Sequence, residues 1–110
     1  MVMKDLNEIR KILASHKQEL KEKYRVKDIG IFGSYAKGGQ KKRSDIDLVI
    51  EFDLKAFGKN FKGLFDTYLN LSIYLEHLFG RKVDILTPES IDTIRIKEVA
   101  EEIKRNIIHV

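Results

Sequence analysis

A chain of 110 residues without a single cysteine has the size of one domain, expected to span 1–110, and excludes disulfides, thiolate metal sites and cysteine nucleophiles. Charged residues make up 35% and hydrophobic ones 43%, a pattern of ion-pair-rich surface around a modest core. No apolar run reaches the roughly 20 residues of a membrane helix and no apolar leader opens the chain, so a cytoplasmic location is expected.

The net charge of +4 is unevenly placed. Residues 1–43 carry 12 Lys/Arg against 5 Asp/Glu, and residues 44–110 carry 9 against 12. A basic half therefore precedes an acidic one. An anionic ligand could bridge the two, with cations offsetting the acidic side.

Residues 3–24 read as one amphipathic helix, with Leu6, Ile9, Ile12, Leu13, Leu20 and Tyr24 at helical spacing and Asp5 in the capping region. His16 falls near the apolar stripe and reads as packing. Lys27 to Phe32 is a strand, with Ile29 and Ile31 on one face. Gly30 leaves room for close packing. Residues 34–39 begin as a helical turn and loosen at Gly38-Gly39. Asp45 to Phe52 is the second strand, with Ile46, Leu48 and Ile50 on one face and Asp45, Asp47 and Val49 on the other.

Phe61 to Phe79 is a second long helix, on which Leu64, Phe65, Tyr68, Leu71, Leu75 and Leu78 follow helical spacing, and Gly80 stops it. Lys82 to Leu86 is a third strand, closed by Thr87-Pro88. A last helix runs from about Ser90 or Thr93 to Arg105, with Ile94, Val99 and Ile103 inward. Ile107, Ile108 and Val110 make an apolar end, either a short strand packed on the sheet or a patch for a partner. The order α-β-β-α-β-α is that of an α/β (α+β) fold, a small mixed sheet flanked by helices.

The chemistry concentrates around Asp45 and Asp47. Carboxylates two apart on a strand point to one face, a geometry for gripping hard divalent cations through oxygen. Asp84 is the same oddity in the third strand, a charge between Val83 and Ile85 that is costly unless paired or metal-bound. If the third strand lies beside the second, three carboxylates converge, and they repel one another without a cation. Before them runs a basic loop holding Gly33, Ser34, Lys37, Lys41, Lys42 and Arg43. Gly33 lets backbone approach a phosphate closely, and Ser34 offers a hydroxyl and an N–H to an anion. Together these residues indicate metal-assisted phosphoryl or nucleotidyl chemistry.

The string Gly33-Ser34, Ala36, Gly38, then Ser44-Asp45-Ile46-Asp47-Leu48, with Asp84 after the second long helix, resembles the polymerase-β nucleotidyltransferase superfamily. Within it the chain is similar to the minimal nucleotidyltransferases over nearly its whole length. The resemblance implies that Gly33 and Ser34 bind the phosphates of ATP, with Lys37, Arg43 and Ser44 as further nucleotide contacts. It implies that Asp45 and Asp47 ligate two Mg²⁺ ions. Asp84 would ligate the catalytic one and help deprotonate the acceptor.

Relatives of this size pair with a helical HEPN-domain RNase toxin. The implied function is AMP transfer from ATP to a hydroxyl of that toxin, typically tyrosine, with the chain acting as antitoxin. Neutralisation by binding alone, or transfer to a small molecule or an RNA end, are the alternative readings. The residue after Ser34 is often basic in relatives and is Tyr35 here, a departure from the family pattern at one possible phosphate contact and not at the metal site.

Overall fold

Alternating apolar residues place the strands, and both faces of the sheet they form are covered. The computed structural model describes residues 5–38, 45–59 and 62–110. Helices α1 (Leu6–Ser15) and α2 (Lys17–Tyr24) lead into β1 (Val26–Phe32), the short helix α3 (Gly33–Lys37) and β2 (Ile46–Phe52). A 3₁₀ turn (Leu54–Phe57) precedes α4 (Leu64–Phe79) and β3 (Val83–Leu86). The chain ends with α5 (Pro88–Asp92), α6 (Lys97–Asn106) and β4 (Ile108–His109).

The sheet is mixed, in the order β3-β2-β1-β4. β1 runs antiparallel to β2 and to β4, whereas β2 and β3 are parallel. The end of β1 therefore meets the starts of β2 and β3 at one edge of the molecule. One face buries Ile29, Ile31, Ile46, Leu48, Ile50, Val83 and Ile85 against Ile9, Leu13 and Leu20 of α1–α2 and Leu71, Leu75 and Phe79 of α4. The opposite face carries Phe32 and Val49, covered by Ile91 of α5 and Ala100 of α6. The alternation expected along the second strand is thus present on both sides.

Several ends follow local chemistry. Asp5 caps α1, its Oδ1 accepting from Glu8 N at 2.9 Å. Gly80 ends α4 with φ +68, a conformation that suits glycine. The apolar tail is a strand: His109 and Ile108 pair with Gly30 and Ile31, and Val110 N donates to Ile29 O at 3.0 Å. Gly30 has no side chain because Ile107 lies over it; a Cβ there would come 2.4 Å from Ile107 Cγ2.

Three expectations are corrected. The first helix is broken at His16 (φ −104, ψ 5), whose Nδ1 lies 2.8 Å from the Ile12 carbonyl and whose ring packs edge-on against Tyr74. The last helix is two helices, because Pro88 at the first helical position and a Thr87–Ser90 capping box start α5 early. Phe65 and Val99, expected inward, are 72% and 43% exposed. Phe65, Leu69 and Ile73 instead form an exposed stripe along α4, at the four-residue spacing that stacks side chains on one helix face. Phe61, expected to begin the long helix, lies outside the described residues.

Candidate active site

β-pairing builds the site. Phe32 is opposite Asp47, and Asp47 is beside Asp84 in the parallel register. Ile46 N donates to Lys82 O at 3.0 Å, which fixes the entry of β3 against the start of β2. With Val83 and Ile85 directed into the core, Asp84 takes the same face as Asp47. The third strand does lie beside the second, and the pairing brings Asp47 and Asp84 together.

The electrostatics reflect that crowding. Asp47 is half-buried, and its carboxyl is pushed up to about 6. Burial is the largest cause, followed by the negative charges of Asp84 and Asp45 and a hydrogen bond with Asp84. Asp84 is more open, 3.8 Å from Lys82 Nζ. Among the described residues no three His, Cys, Asp or Glu side chains stand at metal-holding distances. The donor set still fits a hard divalent ion, since Asp47, whose charge its neighbours Asp84 and Asp45 disfavour, is the kind of carboxylate such an ion relieves.

Gly33 opens α3 with φ +73 and presses against the aspartate; a Cβ there would lie 2.2 Å from Asp47 Oδ2. Ser34 follows in the first turn of α3, half-buried. Gly38 closes α3 with φ +76. The phosphate-cradle candidates and the acidic pair are thus adjacent.

Lys37 is placed differently from a free phosphate ligand: its ammonium is bonded to the Glu102 carboxylate of α6, which holds that carboxyl below its usual range. Arg43 and Ser44, with Lys41 and Lys42, lie outside the described residues. Tyr35 is completely buried, with Arg81 Nη1 donating to its hydroxyl. Reading along the sequence missed Glu102 and the Tyr35–Arg81 pair. The available signal was a tyrosine directly after Ser34, where its hydroxyl needs a partner if the ring is buried.

The profile of the nucleotidyltransferase domain family matches residues 13–108. Candidate protein adenylyltransferase MJ1379 of Methanocaldococcus jannaschii is 48% identical over 100 residues, 91% of this chain and 95% of that protein. Protein adenylyltransferase MntA of Thermococcus cleftensis is 36% identical over 94% of this chain and 97% of that one. Among solved structures, a candidate minimal nucleotidyltransferase matches with TM-score 0.69 and 25% identity, covering 96% and 95% of the two chains. A toxin–antitoxin crystal structure with AMP-PNP shares the fold, with TM-score 0.57 at 20% identity over 96% of this chain and 72% of that one. The sheet order, the Asp47–Asp84 register and the matched profile lead to one conclusion: this chain belongs to the nucleotidyltransferase domain family.

Proposed function

We propose that this chain transfers AMP from ATP to a hydroxyl of a HEPN-domain RNase toxin, a tyrosine being the expected acceptor, and so acts as the antitoxin of that pair in the cytoplasm. The observation that carries the chemistry is the adjacency of Gly33, Asp47 and Asp84 at one sheet end. The choice of a protein acceptor is supported by relatives named protein adenylyltransferases, and the choice of a toxin partner by the toxin–antitoxin complex that shares the fold.

In this reading Gly33 and Ser34 hold the triphosphate through backbone N–H groups and the Ser34 hydroxyl. Asp45, Asp47 and Asp84 would hold two Mg²⁺ ions. When bound, these ions neutralise the triphosphate and acidify the acceptor hydroxyl. Asp84 orients the acceptor and draws its proton. The acceptor oxygen bonds to the α-phosphorus as the bond from that phosphorus to the bridging oxygen breaks. Pyrophosphate leaves, and the proton passes to solvent. Arg43 and Ser44 are assigned as nucleotide contacts from their place in the sequence just before Asp45, and Lys37 joins them once Glu102 releases it.

The test is the intact mass of the co-expressed HEPN-type protein after incubation with this chain and Mg²⁺-ATP. The expected result is a gain of one or more AMP units, absent with an Asp45→Asn/Asp47→Asn double variant. An unchanged mass, with neutralisation intact in both, sinks the enzymatic reading and leaves a binding antitoxin. Labelling of RNA ends or a small molecule instead would reassign the acceptor.

A further inference from the structure

Tyr35 follows Ser34 directly, and Arg81 stands three residues before Asp84. The hydrogen bond from Arg81 Nη1 to the Tyr35 hydroxyl therefore joins the segment carrying the phosphate-cradle candidates to the segment carrying the third carboxylate. Both segments need an anchor. α3 has five residues and no side-chain bond at its N-cap, too short to hold its place by its own backbone bonds. β3 is a four-residue strand at the sheet edge, paired, among the described residues, with β2 alone.

The bond is a strong one by type. Tyr35 is fully buried, and a hydroxyl bound by a guanidinium away from water is charge-assisted in a low dielectric. Packing alone does not require that oxygen, because phenylalanine would fill the same space. The hydroxyl acts as a tie between elements. β2, carrying Asp47, lies between the two tied segments, and Gly33 already touches it.

We propose that Tyr35 and Arg81 form a positioning clamp. It sets the spacing between the Gly33-Ser34 cradle and Asp84, and thereby controls the chemical step of nucleotidyl transfer more than nucleotide affinity. Tyr35 is fully buried, so it acts through α3, and Arg81 acts through β3. The inference rests on the proposal that those segments bind triphosphate and orient the acceptor. An ångström of slack between two such groups lowers the rate by up to about 100-fold with little effect on ground-state binding.

The experiment compares wild type, Tyr35→Phe and Arg81→Lys by hydrogen exchange, AMP-PNP affinity with Mg²⁺, and steady-state transfer. Tyr35→Phe is expected to fold, to exchange the amides of α3 and β3 about tenfold faster, and to leave those of α1 unchanged. Its affinity for AMP-PNP should stay within about threefold, while kcat falls about tenfold or more. Arg81→Lys keeps a cationic donor and should lose less of kcat than Tyr35→Phe does. A folded Tyr35→Phe with wild-type exchange in α3 and β3, or with wild-type kcat, overturns the clamp. If wild type itself labels no acceptor, the proposed function fails. Exchange then decides the clamp alone: faster amides in α3 and β3 sustain it, unchanged ones overturn it.

Discussion

Gly33 and Asp47 are in contact without a side chain between them: a Cβ on Gly33 would lie 2.2 Å from Asp47 Oδ2, and Gly33 sits at φ +73. Both the space and the backbone angle require glycine. Gly33→Ala should therefore cost roughly 1–3 kcal/mol of stability and push the carboxylate out of line. Thermal melts should show the loss, and transfer assays run well below the melting temperature should show kcat reduced by about tenfold or more.

The raised carboxyl of Asp47 gives a signed pH dependence. Its folded value is about 6, against an ordinary 3.8. Below 3.8 the group is protonated in folded and unfolded chains alike, and it has no effect on stability. As pH rises through 3.8 toward 6 the unfolded chain ionises first, so the cation-free fold loses stability across that window. Asp47→Asn should then stabilise the cation-free protein at pH 7 by about 1 kcal/mol, after discounting for solvent screening, or roughly 4 °C. It should also abolish transfer. Melts in EDTA at pH 4 and pH 7 check the sign: the gain must be present at pH 7 and absent at pH 4.

Protons and divalent ions compete for the same carboxylates. In wild type, activity should fall as pH drops through about 6 at low Mg²⁺, and more Mg²⁺ should move the fall to lower pH. Mg²⁺ should raise the melting temperature of wild type but not of Asp47→Asn. Equal shifts in both would remove Asp47 from the cation site.

Lys37 and Glu102 are an exposed pair, so their bond adds little to stability. On the proposed function, it competes with phosphate for Lys37. Glu102→Gln should leave the melting curve unchanged and lower the KM for ATP by roughly two- to fivefold at low salt, with the difference fading as salt is added. Steady-state kinetics at two ionic strengths test this. A KM unchanged at both would show that Lys37 does not meet the triphosphate.

Gly30 and Ile107 make a second forced fit, with 2.4 Å between a Cβ on Gly30 and Ile107 Cγ2. Gly30→Ala should cost about 1–3 kcal/mol by forcing the tail off β1. Ile107→Ala in the same chain should recover part of it, so that the double variant is less destabilised than the two singles added. Denaturant melts of the four proteins give the coupling.

The aspartates, Gly33-Ser34, the strand alternation and the cap at Asp5 were legible in the sequence, because each follows from local periodicity or from residue chemistry at fixed spacing. Period-two alternation set which strand residues face the α1–α2–α4 side, and their burial follows it. Local signals failed where long-range contacts compete. Helical spacing continues through His16, but the ring bonds the Ile12 carbonyl and the helix breaks. Phe65 fits the apolar pattern of α4 yet stands exposed, since spacing marks a face without saying how much of it the sheet can cover.

By itself the sequence determined the residue types of the site and the strands that carry them. Only the tertiary structure decided that β3 lies parallel to β2 with Asp84 beside Asp47, that the tail pairs with β1, that Glu102 takes Lys37, and that Arg81 reaches Tyr35. Those partners are 37, 79, 65 and 46 residues apart for Asp47–Asp84, Gly30–His109, Lys37–Glu102 and Tyr35–Arg81, read from their positions in the chain. Contacts at such separations arise from strand order and packing, which no local pattern of apolar residues or turn residues encodes.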